Sequence, residues 1–316
     1  MCYPKMVIKF GGGLVDGIIP LYKERGMTSF DCVNRVRHII HEAHVGHAGT
    51  LDPNVNGVLP ICVGKATKCV DFLHEKPKEY SGELLIGLST TTEDLDGETV
   101  KRQRVESKIS DETVKTAMAT MMGKITQVPP MYSSVKVNGK RLYEYAHAGE
   151  TVERPHRQVV INAFQMVAND FDPAKGQQRV RFTVKCSKGT YVRTLAVDLA
   201  KKLGYPGVMS SLTRTSSGGF NLDQTLSLAD LSDLAANQLL SQYVLPLEIV
   251  FEDWQHLALN KEQWQAVQNG GWLKTAEIPA NADQRIALTY QGRVKALYYQ
   301  RDSGHYAPLK MISTKA

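Results

Sequence analysis

Residues 46–60 read GHAGTLDPNVNGVLP and place one acid, Asp52, among three glycines, two prolines and a histidine. Glycine lets the backbone turn, or approach a ligand, where a side chain would clash, and Pro53 favours an extended conformation at the residue before it. The pattern therefore predicts a rigid loop that presents Asp52. An isolated Leu-Asp-Pro is also typical of an ordinary turn, so the function of Asp52 depends on the rest of the chain.

Helix and strand patterns flank this loop. A helix is predicted to begin after Thr28, a capping residue, and to end near His41, with Phe30 on its apolar face. The other elements predicted from hydrophobic periodicity are strands at 17–22, 58–63 and 179–186, a strand opened by Tyr80, and helices at 109–122, 191–203 and 228–242. The loop thus joins a helical segment to a buried strand.

Histidines recur at every third position in His38, His41, His44 and His47, which invites a metal-site hypothesis. The helix should end near His41, so its surface cannot present all four side chains, and Val45 interrupts the His-Glu-x-x-His spacing of zinc enzymes. We therefore expect no metal site here. His47 differs from the others because it lies within the glycine-rich loop.

The composition is typical of a globular protein with a moderate positive charge. The chain has 316 residues and a formal net charge of +6, which permits binding to a polyanion without requiring it. Five cysteines without a Cys-x-x-Cys pair indicate neither a disulfide framework nor a cysteine metal site. No apolar run approaches the ~18 residues of a membrane span, and the N-terminus lacks a signal-peptide pattern. We expect a cytoplasmic protein without a membrane partner.

Residues 127–149, QVPPMYSSVKVNGKRLYEYAHAG, mix prolines, tyrosines and cations in a way that is unlike a core element. Lys136, Lys140 and Arg141 could meet phosphates, while the interleaved aromatic rings could pack against sugar or base. The pattern predicts a strip that contacts nucleic acid. An exposed proline-rich loop is the alternative that these residues alone leave open.

Two later elements also carry cations. The strand at 179–186 alternates apolar residues with a basic face that includes Arg181 and Lys185. In the helix at 191–203, Arg193 lies near the N-terminal end and off the apolar face. Such a position is common for functional side chains, although a surface cation has the same pattern.

In these segments the chain resembles the TruB family, bacterial tRNA pseudouridine synthases that modify uridine 55 in the TΨC loop. The resemblance runs from about Gly17 to Phe220 and continues more weakly to the C-terminus. Four motifs carry it, in this order: YKERGMTS from Tyr22, GHAGTLDPNVNGVLP with VGKATK over 46–68, VPPMYSSVKVNGKRLYEYA from Val128, and CSKGTYVRTLAVDLAKKLG from Cys186. Their joint occurrence in this order is specific.

Carried over position by position, the resemblance implies a complete site around Asp52 as catalytic aspartate. It assigns Tyr80 to stacking on the flipped base and Arg193 to pairing with Asp52. The implied substrate-binding residues are His47, which helps to evert the base, Tyr191 and Leu212 as pocket walls, Lys68 and Asp94 at the margin, and Lys23, Lys136 and Arg141.

The resemblance also implies an α+β fold, with a mixed, largely antiparallel sheet, flanking helices and a small β-rich C-terminal module related to PUA domains. We expect residues 1–16 to be a disordered extension, residues 17–247 to form the catalytic domain with a thumb insertion at about 127–152, and residues 248–316 to form the module. Glu24 replaces a common proline and His147 a usual arginine, and the tail fits a PUA-like module only loosely.

The implied function is the isomerisation of uridine 55 in tRNA to pseudouridine, without metal or cofactor, by a monomer that needs no protein partner. We expect the positive charge of Arg193 to lower the pKa of Asp52 and keep its carboxylate ionised at neutral pH. Two other classes remain open from the residues themselves. One is a non-catalytic tRNA-binding or folding protein, and the other is a carboxylate-dependent hydrolase, for which no second catalytic acid is evident.

Overall fold

The computed structural model describes residues 16–279 and 283–315. The extension expected at residues 1–16 lies outside these residues except for its last position, and it stays a prediction. The strands of the larger part are β1 (Gly17–Lys23), β2 (Val45–His47), β3 (Asn56–Val63), β4 (Lys78–Ile86), β5 (Leu88–Thr90), β6 (Thr99–Arg102), β7 (Gly123–Gln127), β8 (Lys136–Val137), β9 (Lys140–Arg141), β10 (Arg157–Asp172), β11 (Gln177–Cys186), β12 (Gly207–Ser217) and β13 (Phe220–Asn221).

The helices of this part are α1 (Ser29–Ile40), α2 (Val70–Glu75), α3 (Asp111–Ala119), α4 (Leu142–His147), α5 (Val192–Lys202) and α6 (Leu228–Ala236). The rest of the described chain forms β14 (Gln255–Ala258), α7 (Lys261–Val267), β15 (Leu273–Lys274), β16 (Arg285–Tyr290), β17 (Arg293–Gln300) and β18 (His305–Met311).

A nine-stranded sheet organises the larger part, with the order β1-β3-β12-β4-β11-β10-β7, β2 beside β3 and β13 beside β12. Its neighbouring strands are antiparallel except for the pair β3 and β12. The prediction of a mixed, largely antiparallel sheet with flanking helices is therefore confirmed. The parallel pair places β12 beside the start of β3, where the Asp52 loop ends.

Helix α1 begins as its sequence predicts. Thr28 and Asp31 form a reciprocal capping box, and His41 ends the helix in a left-handed conformation with φ of 53°. Phe30, however, is 59% exposed, so its assignment to the buried face is wrong. Val33 and Val36, which the same periodicity places on that face, are buried as predicted, and Cys32 joins them against the sheet.

The helix expected to reach Gln242 is interrupted. Helix α6 ends at Ala236, and Gln238 adopts a positive φ of 57°, which turns the chain before a short 3-10 turn over Leu240–Gln242. Leu240, beyond the break, still packs into the same hydrophobic cluster as α1 and α6. This packing accounts for the apolar periodicity that predicted a longer helix.

The two parts of the chain share a hydrophobic core. Ile18 from β1 packs in one cluster with Phe251, Leu297 and Ile312 from beyond the predicted boundary at 247. That boundary falls at the start of a 3-10 turn over Leu247–Phe251, which is itself part of the cluster. The C-terminal five-stranded sheet, in the order β14-β16-β17-β18-β15, is thus attached to the larger part through buried side chains. Among the described helices, none has the length and apolarity to cross a membrane.

Candidate active site

Asp52 lies in the loop between β2 and β3, and buried polar groups hold the backbone on both sides of it. The Lys23 ammonium, from a residue with no exposed surface, donates to the Pro53 carbonyl at 2.9 Å. On the other side, the Leu51 amide donates to Ser29 Oγ at 2.9 Å. Pairing of these backbone groups limits the freedom of the residue between them.

Arg214, on β12, also holds the Asp52 loop, through hydrogen bonds to its backbone carbonyls. Its guanidinium is 1% exposed and donates to the carbonyls of Gly49 at 3.0 Å, Thr50 at 3.3 Å and Val58 at 2.8 Å. Gly57 has a φ of 120°, and a Cβ there would lie 2.2 Å from the Arg214 carbonyl oxygen. Glycine is required at this point because β12 passes directly against it.

Arg193 links Asp52 to its surroundings. The guanidinium, whose side chain is only 5% exposed, places Nε 3.0 Å from Asp52 Oδ2 and Nη1 3.4 Å from Asp94 Oδ2. It also donates to the carbonyls of Thr92 at 2.8 Å and Tyr132 at 3.0 Å. A planar fork with several donors can make all these contacts at once, which a lysine could not. One buried cation therefore pairs with two carboxylates and donates hydrogen bonds to the backbone of two loops.

The net effect on the pKa of Asp52 is opposite to the expectation from sequence. Desolvation of the carboxylate raises its pKa, the charge of Arg193 opposes the rise, and the nearby Asp94 carboxylate adds to it. The prediction of a lowered pKa is therefore wrong, because burial outweighs the ion pair. The side chain keeps 44% exposure through the mouth of the cleft, so the carboxylate can still meet a substrate.

The cleft beside Asp52 has a volume of about 330 Å³. Its lining combines the Asp52 loop, the start of α5 and side chains from β4 and β12. The residues that line it include Gly49, Thr50, Leu51, Asp52, Val55, His74, Lys78, Tyr80, Ser133, Ser134, Arg157, Tyr191, Arg193, Leu212 and Arg214. A smaller cavity of about 220 Å³ adjoins Asp52 and includes Asp94 and Leu212 in its lining.

Tyr80, Tyr191 and Leu212 supply aromatic and apolar surface to the cleft. Burial raises the pKa of the Tyr80 phenol above its ordinary value, and the charge of Arg214 opposes this rise. The phenol is therefore protonated at neutral pH and can donate a hydrogen bond. An aromatic face, an acid and a buried cation in one cleft suit the binding of a planar base next to a reactive carboxylate.

Comparison with family models identifies the protein class. Residues 37–192 match the model described as TruB family pseudouridylate synthase (N terminal domain). Residues 193–252 match the model described as tRNA pseudouridylate synthase B C-terminal domain. The chain belongs to the TruB family. Both models together contain the Asp52 loop, Arg193 and Arg214, so every element that forms the cleft lies within the matched region.

Relatives of this TruB-family chain extend the match over nearly its full length. It is 56% identical over 300 residues to the tRNA pseudouridine synthase B of Limosilactobacillus reuteri, which covers 95% of this chain and 99% of that protein. It is 50% identical over 305 residues to the protein of the same name from Lactiplantibacillus plantarum, with 95% and 99% covered. The region beyond residue 252 is therefore also shared with these relatives.

Solved structures of lower identity share the fold. A chain of a Cbf5-Nop10-Gar1 complex superposes with a TM-score of 0.71 at 23% identity and covers 94% of this chain and 84% of that one. A chain of an H/ACA RNP bound to a substrate RNA gives a TM-score of 0.67 at 22% identity, with 92% and 83% covered. The TruB-family chain thus has the fold of these chains in both of its parts.

The structure places His47 behind the cleft lining. His47 lies on β2, paired with Ile61 of β3, and its Nδ1 is buried without a hydrogen-bond partner in the described residues. Burial and the charge of Arg214 lower the pKa of His47, so the imidazole is neutral at physiological pH. Its part in opening the RNA, which the resemblance implies, stays a prediction.

Two lysines assigned to substrate binding donate to backbone carbonyls. Lys68 is exposed and does not line the cleft, and its ammonium donates to the Ile312 carbonyl at 2.9 Å. Lys23 donates to the carbonyls of Glu24, Met27 and Pro53 and has no exposed surface. The Lys23 ammonium is therefore not available to an RNA phosphate in this arrangement, whereas the role of Lys68 in substrate binding stays a prediction.

Lys136 and Arg141 lie on the hairpin of β8 and β9 within the predicted thumb, outside the cleft lining. Both side chains are exposed. The Arg141 guanidinium lies 5.9 Å from the centre of the Tyr143 ring, and His147 meets the same ring edge-on at 6.2 Å. The hairpin therefore presents cations and aromatic rings together on its surface.

Sequence reasoning missed Arg214 and Lys78, both of which line the cleft. Arg214 follows Leu212 by two residues on β12, and Lys78 precedes Tyr80 by two residues on β4. Since alternate residues of a strand point to the same side, each lies on the side that faces the cleft. That spacing from Leu212 and Tyr80 was the signal available in the sequence.

No group of three or more metal-ligand side chains occurs among the described residues.

Proposed function

We propose that this chain converts uridine 55 in the TΨC loop of tRNA to pseudouridine and that Asp52 is its catalytic carboxylate. The observation that carries the proposal is the Asp52 carboxylate, 3.0 Å from the Arg193 guanidinium, at the edge of a cleft walled by Tyr80. The relatives of high identity are named tRNA pseudouridine synthase B, which supports tRNA as substrate and isomerisation as the reaction.

The reaction breaks the N1–C1′ bond of uridine, turns the base and joins C5 to C1′. The C5 proton leaves and N1 gains a proton, so the product is an isomer and no electrons are exchanged with a second reactant. A charged carboxylate next to the sugar and base can serve as nucleophile or as base. Three routes use it: addition to C1′, addition to C6, or removal of a sugar proton to give a glycal.

Arg193 sustains the charge that each of these routes needs. Because desolvation raises the pKa of Asp52, the ion pair with Arg193 is what favours its ionised form. Closing the cleft with RNA removes water from the exposed side of Asp52 and increases this dependence. Tyr80 offers a ring face for the base and a protonated phenol for proton transfer.

The target base has to leave its stack before it can enter the cleft. Extrusion costs a few kcal/mol, and stacking on an aromatic ring returns part of this cost. The hairpin that carries Lys136 and Arg141 supplies cations and rings for the RNA backbone outside the cleft. The proposal includes the expectation that the protein acts as a monomer.

The test is tritium release from tRNA that carries 5-tritiated uridine. We expect the wild-type protein to release tritium without loss of base, and Asp52→Asn to bind tRNA while turnover falls at least about 10³-fold. Asp71→Asn, which changes an exposed acid of α2, is the matched control and should behave as wild type. Release of free uracil would identify a hydrolase, and binding without any release would identify an RNA-binding protein.

A further inference from the structure

Gln127, the last residue of β7, makes a pair of hydrogen bonds that the proposed mechanism does not use. Its side chain is buried, with 2% exposure. Gln127 Oε1 accepts from the Tyr191 amide at 2.8 Å, and Gln127 Nε2 donates to the Tyr191 carbonyl at 3.0 Å. One side-chain amide thus pairs with both backbone polar groups of a single residue, as a neighbouring strand would.

Tyr191 is the N-cap of α5, and its own side chain makes no capping hydrogen bond. Its carbonyl also accepts from the Leu195 amide at 3.0 Å, which is the first hydrogen bond of the helix. Arg193 lies in this first turn. Because Gln127 fixes the peptide groups at the N-cap, it also fixes the direction in which the first turn, and with it Arg193, approaches Asp52.

The same segment touches the first turn of α5 a second time. Tyr132, five residues after Gln127, accepts a hydrogen bond from Arg193 Nη2 at 3.0 Å. Residues 127–134 lead from β7 into the hairpin of β8 and β9. The root of the predicted thumb insertion is therefore bonded to the catalytic helix at its N-cap and at the guanidinium that pairs with Asp52.

We propose that Gln127 is a positioning residue that holds the start of α5 so that the Arg193 guanidinium meets Asp52, and that it joins the root of the thumb to this pair. The inference rests on the proposed function. Misplacement of a catalytic group by about 1 Å can reduce the rate ~10²-fold, so the loss of this support acts on turnover rather than on RNA affinity.

Gln127→Glu tests the proposal because the two side chains have nearly the same shape. The ionised carboxylate still accepts from the Tyr191 amide but repels the Tyr191 carbonyl, whereas the protonated carboxyl can donate to that carbonyl again. Burial raises the pKa of such a carboxyl toward neutrality. Turnover should therefore depend on pH in the variant in a way that a simple loss of packing would not produce.

We expect kcat of Gln127→Glu to fall about 10- to 100-fold near pH ~8 and to recover in part as the pH is lowered to ~6. The affinity for tRNA should change less than about 3-fold. Wild-type kcat should not rise over this interval. Gln158→Glu is the matched control, because Gln158 is exposed on the adjacent β10 and its side chain donates to Thr126 Oγ1 at 2.6 Å.

Gln127→Met removes both hydrogen bonds without adding a charge and decides the question if the glutamate variant does not fold. Its kcat should fall at every pH without recovery in acid, with kcat expressed per tRNA-binding site to count only folded protein. Wild-type kcat in either variant, a loss confined to KM, or a loss in Gln127→Glu that does not change with pH would overturn the proposal. Failure of the wild-type protein to form pseudouridine would instead refute the proposed function itself.

Discussion

The outer face of β11 and the thumb hairpin of β8 and β9 both carry cations, but these cations differ in whether a carboxylate pairs with them. On β11, Arg179, Arg181 and Lys185 lie 2.6, 3.3 and 2.9 Å from carboxylate oxygens of Glu83, Asp170 and Glu79. No such ion pair of Lys136 or Arg141 occurs among residues 16–279 and 283–315. The basic face predicted from the alternation of β11 is thus neutralised, whereas Lys136 and Arg141 stay available to phosphate. Lys140 of the same hairpin is paired with Glu150 at 2.9 Å.

The cleft shows a third arrangement. Arg193 is paired with Asp52 and Asp94, and Arg214 is bonded to backbone carbonyls. Both guanidiniums are buried, so little water screens either cation, although the Asp52 partner of Arg193 keeps 44% exposure. A count of positive charges does not distinguish cations paired on the β11 face, exposed on the thumb or buried at the cleft. Variants in these three groups should have effects of very different size.

Among the cation variants, the largest effect is expected at Arg193. Arg193→Ala removes the counter-charge that opposes the raised pKa of Asp52, so the carboxylate protonates more readily and kcat should fall about 10²- to 10³-fold at neutral pH. In a profile of kcat against pH, the acid limb should move to higher pH than in the wild type. Loss of tRNA affinity with wild-type kcat at saturating RNA would contradict this role.

Lys78 should affect stability with a defined dependence on pH. Burial lowers its pKa from 10.5 to about 8, so between these values the unfolded chain binds more protons than the folded protein. The stability contribution of Lys78 therefore rises with pH over this interval, by at most about 3 kcal/mol. Urea unfolding measures the free energy of unfolding of the wild type and of Lys78→Met. The wild-type value should rise relative to that of the variant between about pH 8 and 10.

A constant difference between the two proteins over this range would mean that Lys78 keeps an ordinary pKa. Lys78 also donates to the carbonyls of His74 and Lys76, so the variant loses these bonds at every pH. That loss changes the offset between the two stability curves but not the slope of their difference.

Smaller effects are expected from the thumb. Lys136→Ala and Arg141→Ala each remove one exposed cation that can meet phosphate, so each should weaken tRNA binding a few-fold and reduce the salt dependence of log K by about one. Since neither residue lines the cleft, kcat should stay unchanged. Filter binding at several salt concentrations measures the slope, and an unchanged slope would remove these residues from the RNA contact.

The smallest effect is expected on the outer face of β11. Arg181→Ala breaks an exposed ion pair with Asp170, which typically contributes no more than about 1 kcal/mol to stability. Its tRNA affinity and salt slope should equal those of the wild type. If Arg181→Ala weakened binding as much as Lys136→Ala, the distinction between neutralised and available cations would fail.

Local elements could be predicted well from the sequence because their determinants are close together in the chain. The Thr28 cap of α1, the buried strand after the Asp52 loop and the start of α5 at Tyr191 each follow from residues within a few positions. The resemblance carried by four motifs adds the pairing of Asp52 with Arg193, which the structure brings to 3.0 Å. No local pattern could supply this contact.

The partners of charged side chains could not be predicted in this way. Lys68 bonds to Ile312, and Arg214 bonds to Gly49, across long separations in the sequence. The direction of the Asp52 pKa shift has the same origin, since desolvation depends on every group that packs around the cleft.

By itself, the sequence determined the family, the mixed sheet with its helices, and Asp52 as the central acid, because periodicity, caps and motif order are written in neighbouring residues. Only the tertiary structure decided which cations are neutralised, which hold the loop, and which remain for RNA. Those outcomes depend on burial and on the distance between groups that the chain separates and the fold brings together.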